Sequence, residues 1–317
     1  MPNKILYFNG CSWAEGAELD SLHNVKNKKH YQESEHRASK LLADKIGYEE
    51  VNHGYSGKSH DILIEEVLFY AHENKENADN IIINVMLTSM ERILMYCNDK
   101  AMVFNWWMIM SEGAPHQADS KSFKDWRFDE QHATFDLARL WSAYFHNFRF
   151  YAKRWLKDII LLHKTLTELG YKFTLGNAFY SFDCKPDEPN LPFYEESTVS
   201  GHDTKYSGGM DAFGMSVTGF DLYRKFVDGW SDKNIVPAPI TYSIKDYLLD
   251  RWENDREKYL NVYDRKKLSS VLEGDGTNGY HAKTPNYFFC QNGHPSELGH
   301  EKIRDLYFTH YTDHEFI

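Results

Sequence analysis

The sequence predicts an α/β fold with a doubly wound, mainly parallel sheet. Short apolar runs alternate along the chain with longer stretches whose apolar residues recur every three or four positions. The run Asn80-Ile81-Ile82-Ile83-Asn84-Val85-Met86-Leu87 is almost continuously apolar, as a strand covered on both faces must be. The first run, Ile5-Leu6-Tyr7-Phe8, leads into a turn of small residues, Asn9-Gly10-Cys11-Ser12, where such sheets carry their chemistry.

The elements follow in order. Ile5–Phe8 is the first strand, and residues 17–30, polar with Lys26, Lys28 and Lys29, form a surface loop. Ser34 caps a helix that buries Ala38, Leu41, Leu42 and Ile46, and Gly47 ends it. Val51 marks a short second strand. Ser59 caps a second helix, with Ile62, Leu63, Val67, Leu68 and Ala71 turned inward. The third strand is Asn80–Leu87. The aromatic and methionine cluster Phe104–Met110 reads as core or as a pocket lining. From about 133 to 169 one helical pattern, including Trp155, Ile159, Leu162 and Leu166, supplies the crossover to a fourth strand at Tyr171–Gly176. Ile235-Val236-Pro237 is the fifth strand. Charged helices occupy 241–271, and a helix begins at Glu301.

The 317 residues form one domain over 1–317, with a large helical and loop insertion at roughly 180–283, before the last histidine-bearing segment. Hydrophobic residues at 42% and aromatics at 15% are enough for a large core. The net charge of −11 argues against a nucleic-acid or anionic-membrane partner. Cys11, Cys97, Cys184 and Cys290 are widely spaced, as reduced thiols of a cytosol-like compartment are. No signal peptide and no membrane span are expected.

Three segments carry the chemistry. The first is Gly10-Cys11-Ser12-Trp13-Ala14-Glu15-Gly16. The second is Asn52-His53-Gly54-Tyr55-Ser56-Gly57-Lys58-Ser59. The third is His294-Pro295-Ser296 with Gly299. Together and in this order they resemble the blocks of the SGNH (GDSL-type) hydrolases. The resemblance implies a three-layer α/β/α, flavodoxin-like sheet and a serine hydrolase of the esterase or acetylesterase type. In it Ser12 is the nucleophile and His294 the general base, and the Ser12 and Gly57 N–H groups hold the oxyanion. Where the family has an oxyanion-binding Asn, this chain has Thr88-Ser89-Met90-Glu91-Arg92, similar to a divergent branch of the kind found in bacteriophages. A Thr88 or Ser89 hydroxyl then replaces the amide donor, or simply caps a helix. Arg92 binds an anionic substrate group or pairs with a local carboxylate.

A serine hydroxyl needs such a base, and imidazole can take its proton and return it to the leaving group. The family's first-block Asp is Cys11 here, and Gln291 and Asn292 stand where the triad acid belongs. A Ser-His dyad, or an acid from elsewhere such as Asp275, would complete the site. Otherwise the protein is a catalytically degenerate binding or structural protein of the same fold, such as a phage particle component. The expected partner is a small-molecule, glycan or lipid ester. No cofactor and no metal are expected, because His294 and His300 lack further ligands at suitable spacing. The glycine loops match neither dinucleotide nor P-loop patterns. The expected location is cytoplasmic, or in the virion for a phage protein.

Overall fold

The computed structural model describes residues 3–17, 19, 35–88, 92–97, 100–104, 148–178, 232–238, 240, 242–262, 288–289 and 294–317. Strands β1 (Ile5–Asn9), β2 (Glu49–Asn52) and β3 (Ile81–Leu87) are followed by the hairpin β4 (Ile93–Cys97) and β5 (Lys100–Phe104), then β6 (Lys172–Asn177). The helices are α1 (Ser12–Glu15), α2 (Ala38–Ile46), α3 (His60–Glu73), α4 (Phe148–Glu168), α5 (Ile244–Val262) and α6 (Glu297–Asp313). The main sheet has the order β2-β1-β3-β6, and every pairing in it is parallel.

The alternation of side chains along the strands feeds two cores, one on each face. Tyr7, Ile81, Ile83, Val85, Leu87, Phe173 and Leu175 pack against α3 and α4, where Leu63, Val67, Trp155, Ile159, Leu162 and Leu166 are buried. Leu6, Phe8, Ile82 and Met86 face α2, α5 and α6, which contribute Leu42, Leu248, Trp252, Ile303, Tyr307 and Tyr311. Each such side chain contributes about 2 kcal/mol on burial. Helices on both faces of a parallel sheet make the fold the doubly wound α/β arrangement predicted.

One polar residue interrupts the central strand. The Asn84 Oδ1 accepts hydrogen bonds from the Thr174 hydroxyl and, at 2.5 Å, from the Tyr311 hydroxyl. The second bond fixes α6 against the sheet.

Two expectations need correction, and one element goes beyond them. The helix expected after Ser34 begins at Ala38 with Arg37 as its N-cap, and the Arg37 side chain makes no capping bond. The first N–H of this helix donates instead to His300 Nδ1 at 3.1 Å. Ile235 makes only a single parallel bridge to Leu175, since Pro237 has no N–H with which to extend a ladder. The β4–β5 hairpin was not anticipated. Its signal was the Asn98-Asp99 dipeptide between two runs suited to strands. The Ser34 side chain, the Phe104–Met110 cluster beyond the end of β5, the helix expected over 133–147 and nearly all of 180–283 up to Asp232 and beyond Val262 lie outside the described residues.

Sequential connections run from β1 to one side of the sheet (β2) and then back past it to β3. The reversal leaves a crevice outside the carboxyl ends of β1 and β3, the usual ligand position in this architecture.

Candidate active site

Ser12 stands at that crevice. The chain leaves β1 through Asn9 and Gly10 and turns at once into α1, whose first residue is Ser12 and whose end is closed by Gly16 in the left-handed conformation. Ser12 is nearly buried, at 6% exposure. Gly10 leaves no room for a side chain: a Cβ there would lie 2.7 Å from the Ala14 Cβ and 2.9 Å from the Met86 Cβ.

The loop after β2 is locked against this turn. Asn52 Nδ2 donates to the Ala14 carbonyl at 2.8 Å and to the Ser39 hydroxyl at 2.7 Å, while its Oδ1 accepts from the Gly54 N–H at 2.7 Å. Tyr55 N–H donates to the Gly10 carbonyl at 3.3 Å. Ser56 Oγ donates to the buried Glu15 carboxylate at 2.5 Å. The loop then turns at Gly57, whose φ of +80° suits only a residue without a side-chain penalty. A Cβ on Gly57 would meet no atom within 4 Å, so conformation alone demands glycine. Gly57→Ala is therefore expected to cost about 1–2 kcal/mol in urea unfolding, and Gly57→Asn less, because Asn tolerates this conformation.

Beneath the loop lies a charged cluster with no signature in the sequence. The Lys58 side chain is fully buried. Its ammonium donates to Asn9 Oδ1 at 2.6 Å, to Glu66 Oε2 at 2.5 Å and to the His53 carbonyl. Burial pushes its pKa down and the Glu66 carboxylate pulls it back up. A second ion pair, Arg37–Glu50, is bidentate at 2.9 and 2.7 Å and ties α2 to β2.

Thr88 follows β3 and is buried. Its hydroxyl donates to the Lys58 carbonyl at 3.2 Å and accepts from Arg92 Nη1 at 3.0 Å. Arg92 Nη1 also reaches the Lys58 carbonyl at 3.3 Å. Both residues thus brace the Lys58 end of the second loop. Ser89 lies outside the described residues, as do Gln291, Asn292 and Asp275.

The last segment comes to the same end of the sheet. Phe289 and Pro295 form an antiparallel bridge, and Ser296 N–H donates to the Phe288 carbonyl at 2.9 Å. The Phe289 ring lies 5.9 Å from that of Trp13, the residue after Ser12. Half-buried His294 immediately precedes Pro295. Ser296 caps α6 by accepting the Gly299 N–H at 3.2 Å. His300 accepts the Ala38 N–H through Nδ1, so its proton sits on Nε2.

Burial, with smaller contributions from His294 and Arg37, pushes His300 down from 6.5 to about 3. Burial and Arg154 do the same to His60, which is also driven to about 3. The unfolded chain therefore binds more protons than the folded one between these values. Stability should fall as the pH drops below 6.5, by up to about 1.4 kcal/mol per pH unit for each histidine. Urea unfolding at pH 7 and pH 5 checks this, and His300→Asn, which keeps an acceptor for Ala38, should flatten the dependence.

Neither a protein-family model nor a curated protein matches this sequence. Among solved structures, a catalytic mutant of Axe2, an acetylxylan esterase from Geobacillus stearothermophilus, aligns over 98% of this chain and 95% of its own at 10% identity and a TM-score of 0.37. A GDSL-like lipase structure from Parabacteroides merdae covers 98% and 96% at 11% identity and a TM-score of 0.34. LAE5, an α/β hydrolase from the metagenome of Lake Arreo, covers 97% and 94% at 13% identity and a TM-score of 0.37.

Proposed function

We propose that the protein is a serine hydrolase acting on acyl esters, with Ser12 as nucleophile and His294 as general base. The observation that carries this reading is the convergence of three distant segments at one end of the sheet. β1 and β2 run parallel, so the Ser12 turn and the Gly57 loop leave the same edge, where Asn52, Tyr55 and Ser56 bond them together. The segment after His294 packs on Trp13 through Phe289.

In this reading Ser12 Oγ attacks the ester carbonyl as His294 takes its proton. The oxyanion is met by the N–H groups of Ser12 and Gly57, with Ser89 as a further donor. Collapse expels the alcohol, which takes the proton from His294, and leaves an acyl-Ser12 ester. Water, deprotonated by the same imidazole, then releases the acid. Thr88 serves by holding the Lys58 carbonyl. His294 works as a dyad partner or with an acid such as Asp275. Esters of small acyl groups, on a sugar or a lipid, are the substrate class.

One observation favours a second reading, a non-catalytic protein of the same fold. The Thr88 hydroxyl proton is committed to a backbone carbonyl, so it does not replace the missing amide donor. Initial rates on a panel of acetyl to octanoyl esters separate the two. The hydrolase reading predicts turnover above a Ser12→Ala blank for the short acyl groups. Rates equal to that blank across the panel would leave the non-catalytic reading.

A further inference from the structure

Among the described residues Lys58 is the most deeply buried charge beside the site, and the chemistry described above does not use it. Its three ammonium protons have three acceptors on three different parts of the fold. Asn9 Oδ1 belongs to the end of β1, the His53 carbonyl to the loop after β2, and Glu66 to α3. The Tyr55 ring lies under the same ammonium, 4.2 Å away. With every donor engaged, Lys58 has no proton-accepting lone pair to offer Ser12, so it is not a general base in a Ser-Lys pair.

The acceptors explain what it does instead. Asn9 Oδ1 also accepts the Gly10 N–H at 2.8 Å, and Asn9 Nδ2 donates to Glu66 Oε2 at 3.1 Å and to the Tyr7 hydroxyl at 2.8 Å. The amide that aims the Ser12 turn is thus itself held by Lys58 and Glu66. On the other side, Lys58 is the residue after Gly57. Its N–H donates to the Tyr55 carbonyl at 3.4 Å, and its own carbonyl is gripped by Thr88 and Arg92. One side chain therefore connects the turn that carries Ser12 to the turn that carries the Gly57 N–H.

We propose that Lys58, through Asn9 and Glu66, is a positioning residue that sets the separation of Ser12 from the Gly57 N–H. The inference rests on the hydrolase reading for its effect on rate, but the coupling of the two turns is independent of it. A displacement of about 1 Å between reacting groups can cost about 10²-fold in rate.

The test uses Lys58→Met and the double variant Lys58→Met/Glu66→Met. The single variant leaves a carboxylate without its cation, whereas the double variant removes both charges and is expected to stay folded. Both should lose about 10²-fold in kcat per titrated Ser12, with KM changed less than about 3-fold. Amide hydrogen exchange should show faster exchange at 9–16 and 53–58 while the strand interiors stay protected. A purely structural role would lower the urea midpoint but leave kcat per active site and the exchange of the two turns as in wild type in the double variant, and that result overturns the proposal. If the wild type proves inactive, the hydrolase reading fails, and the exchange measurement alone decides: coupled loosening of both turns supports the positioning role, unchanged protection refutes it.

Discussion

Ser12→Ala and His294→Ala should each lower kcat for a short-chain ester by about 10⁴-fold or more, and the double variant should be no slower than the worse single one. Residues that act as one unit are not additive: once the nucleophile is gone, its base has nothing to activate. Two independent contributions would multiply instead. The cycle is informative because the segments holding the two residues are joined by contacts of their neighbours, Trp13 with Phe289 and Phe289 with Pro295. Steady-state rates at saturating substrate, corrected for the folded fraction, supply the four values. Full multiplication of the two losses would break the proposed pairing.

The second large effect is on stability. Replacing Glu50 by Met should destabilise the protein by about 3–5 kcal/mol, because it leaves Arg37 buried without its counter-charge. The pair is enclosed, with side-chain exposures of 10% for Arg37 and 7% for Glu50. Ser39 also donates to Glu50 at 2.5 Å, and Asn52 donates to Ser39. Loss of the carboxylate therefore frees three donors, two on Arg37 and one on Ser39, and loosens the anchor of the second loop. The Arg37→Met/Glu50→Met double variant should return to within about 1–2 kcal/mol of wild type, since a buried pair often does no better than an apolar replacement. Urea midpoints of the three proteins measure this. A single variant as stable as wild type would mean that the pair is solvated in solution.

What could be read in the sequence was whatever depends on near neighbours. The buried strand Ile81–Leu87 announces itself by its continuous apolar character, and Ser59 caps α3 as its position suggests, accepting the Ile62 N–H at 3.3 Å. Gly47 and Gly170 close their helices with positive φ, as expected of glycine after a periodic run. What could not be read depends on residues brought together by the fold. His300 serves the first N–H of α2 from 262 positions away, which is why Ser34 looked like the cap. In the sequence Lys58 is one residue of the second segment, and Glu66 falls outside the inward-facing positions of its helix. Only the packing of α3 under the end of β1 turns them into an ion pair around Asn9, with the lysine fully buried and the glutamate at its half-exposed rim. The hairpin β4–β5 differs: its signal is local, and the core-or-pocket reading of Phe104–Met110 touches only its last residue.

Cys11 and Ser12 are adjacent, and a tight turn presents only one of them as nucleophile. Cys11 is fully buried and belongs to the apolar cluster of one sheet face, and Ser12 is the proposed reacting group. The most direct test is labelling with a fluorophosphonate ester, followed by peptide mapping of the modified residue. One phosphonylated position is expected, Ser12, lost in Ser12→Ala and largely kept in Cys11→Ala. Modification at another residue, or no labelling of the folded wild type, would contradict it.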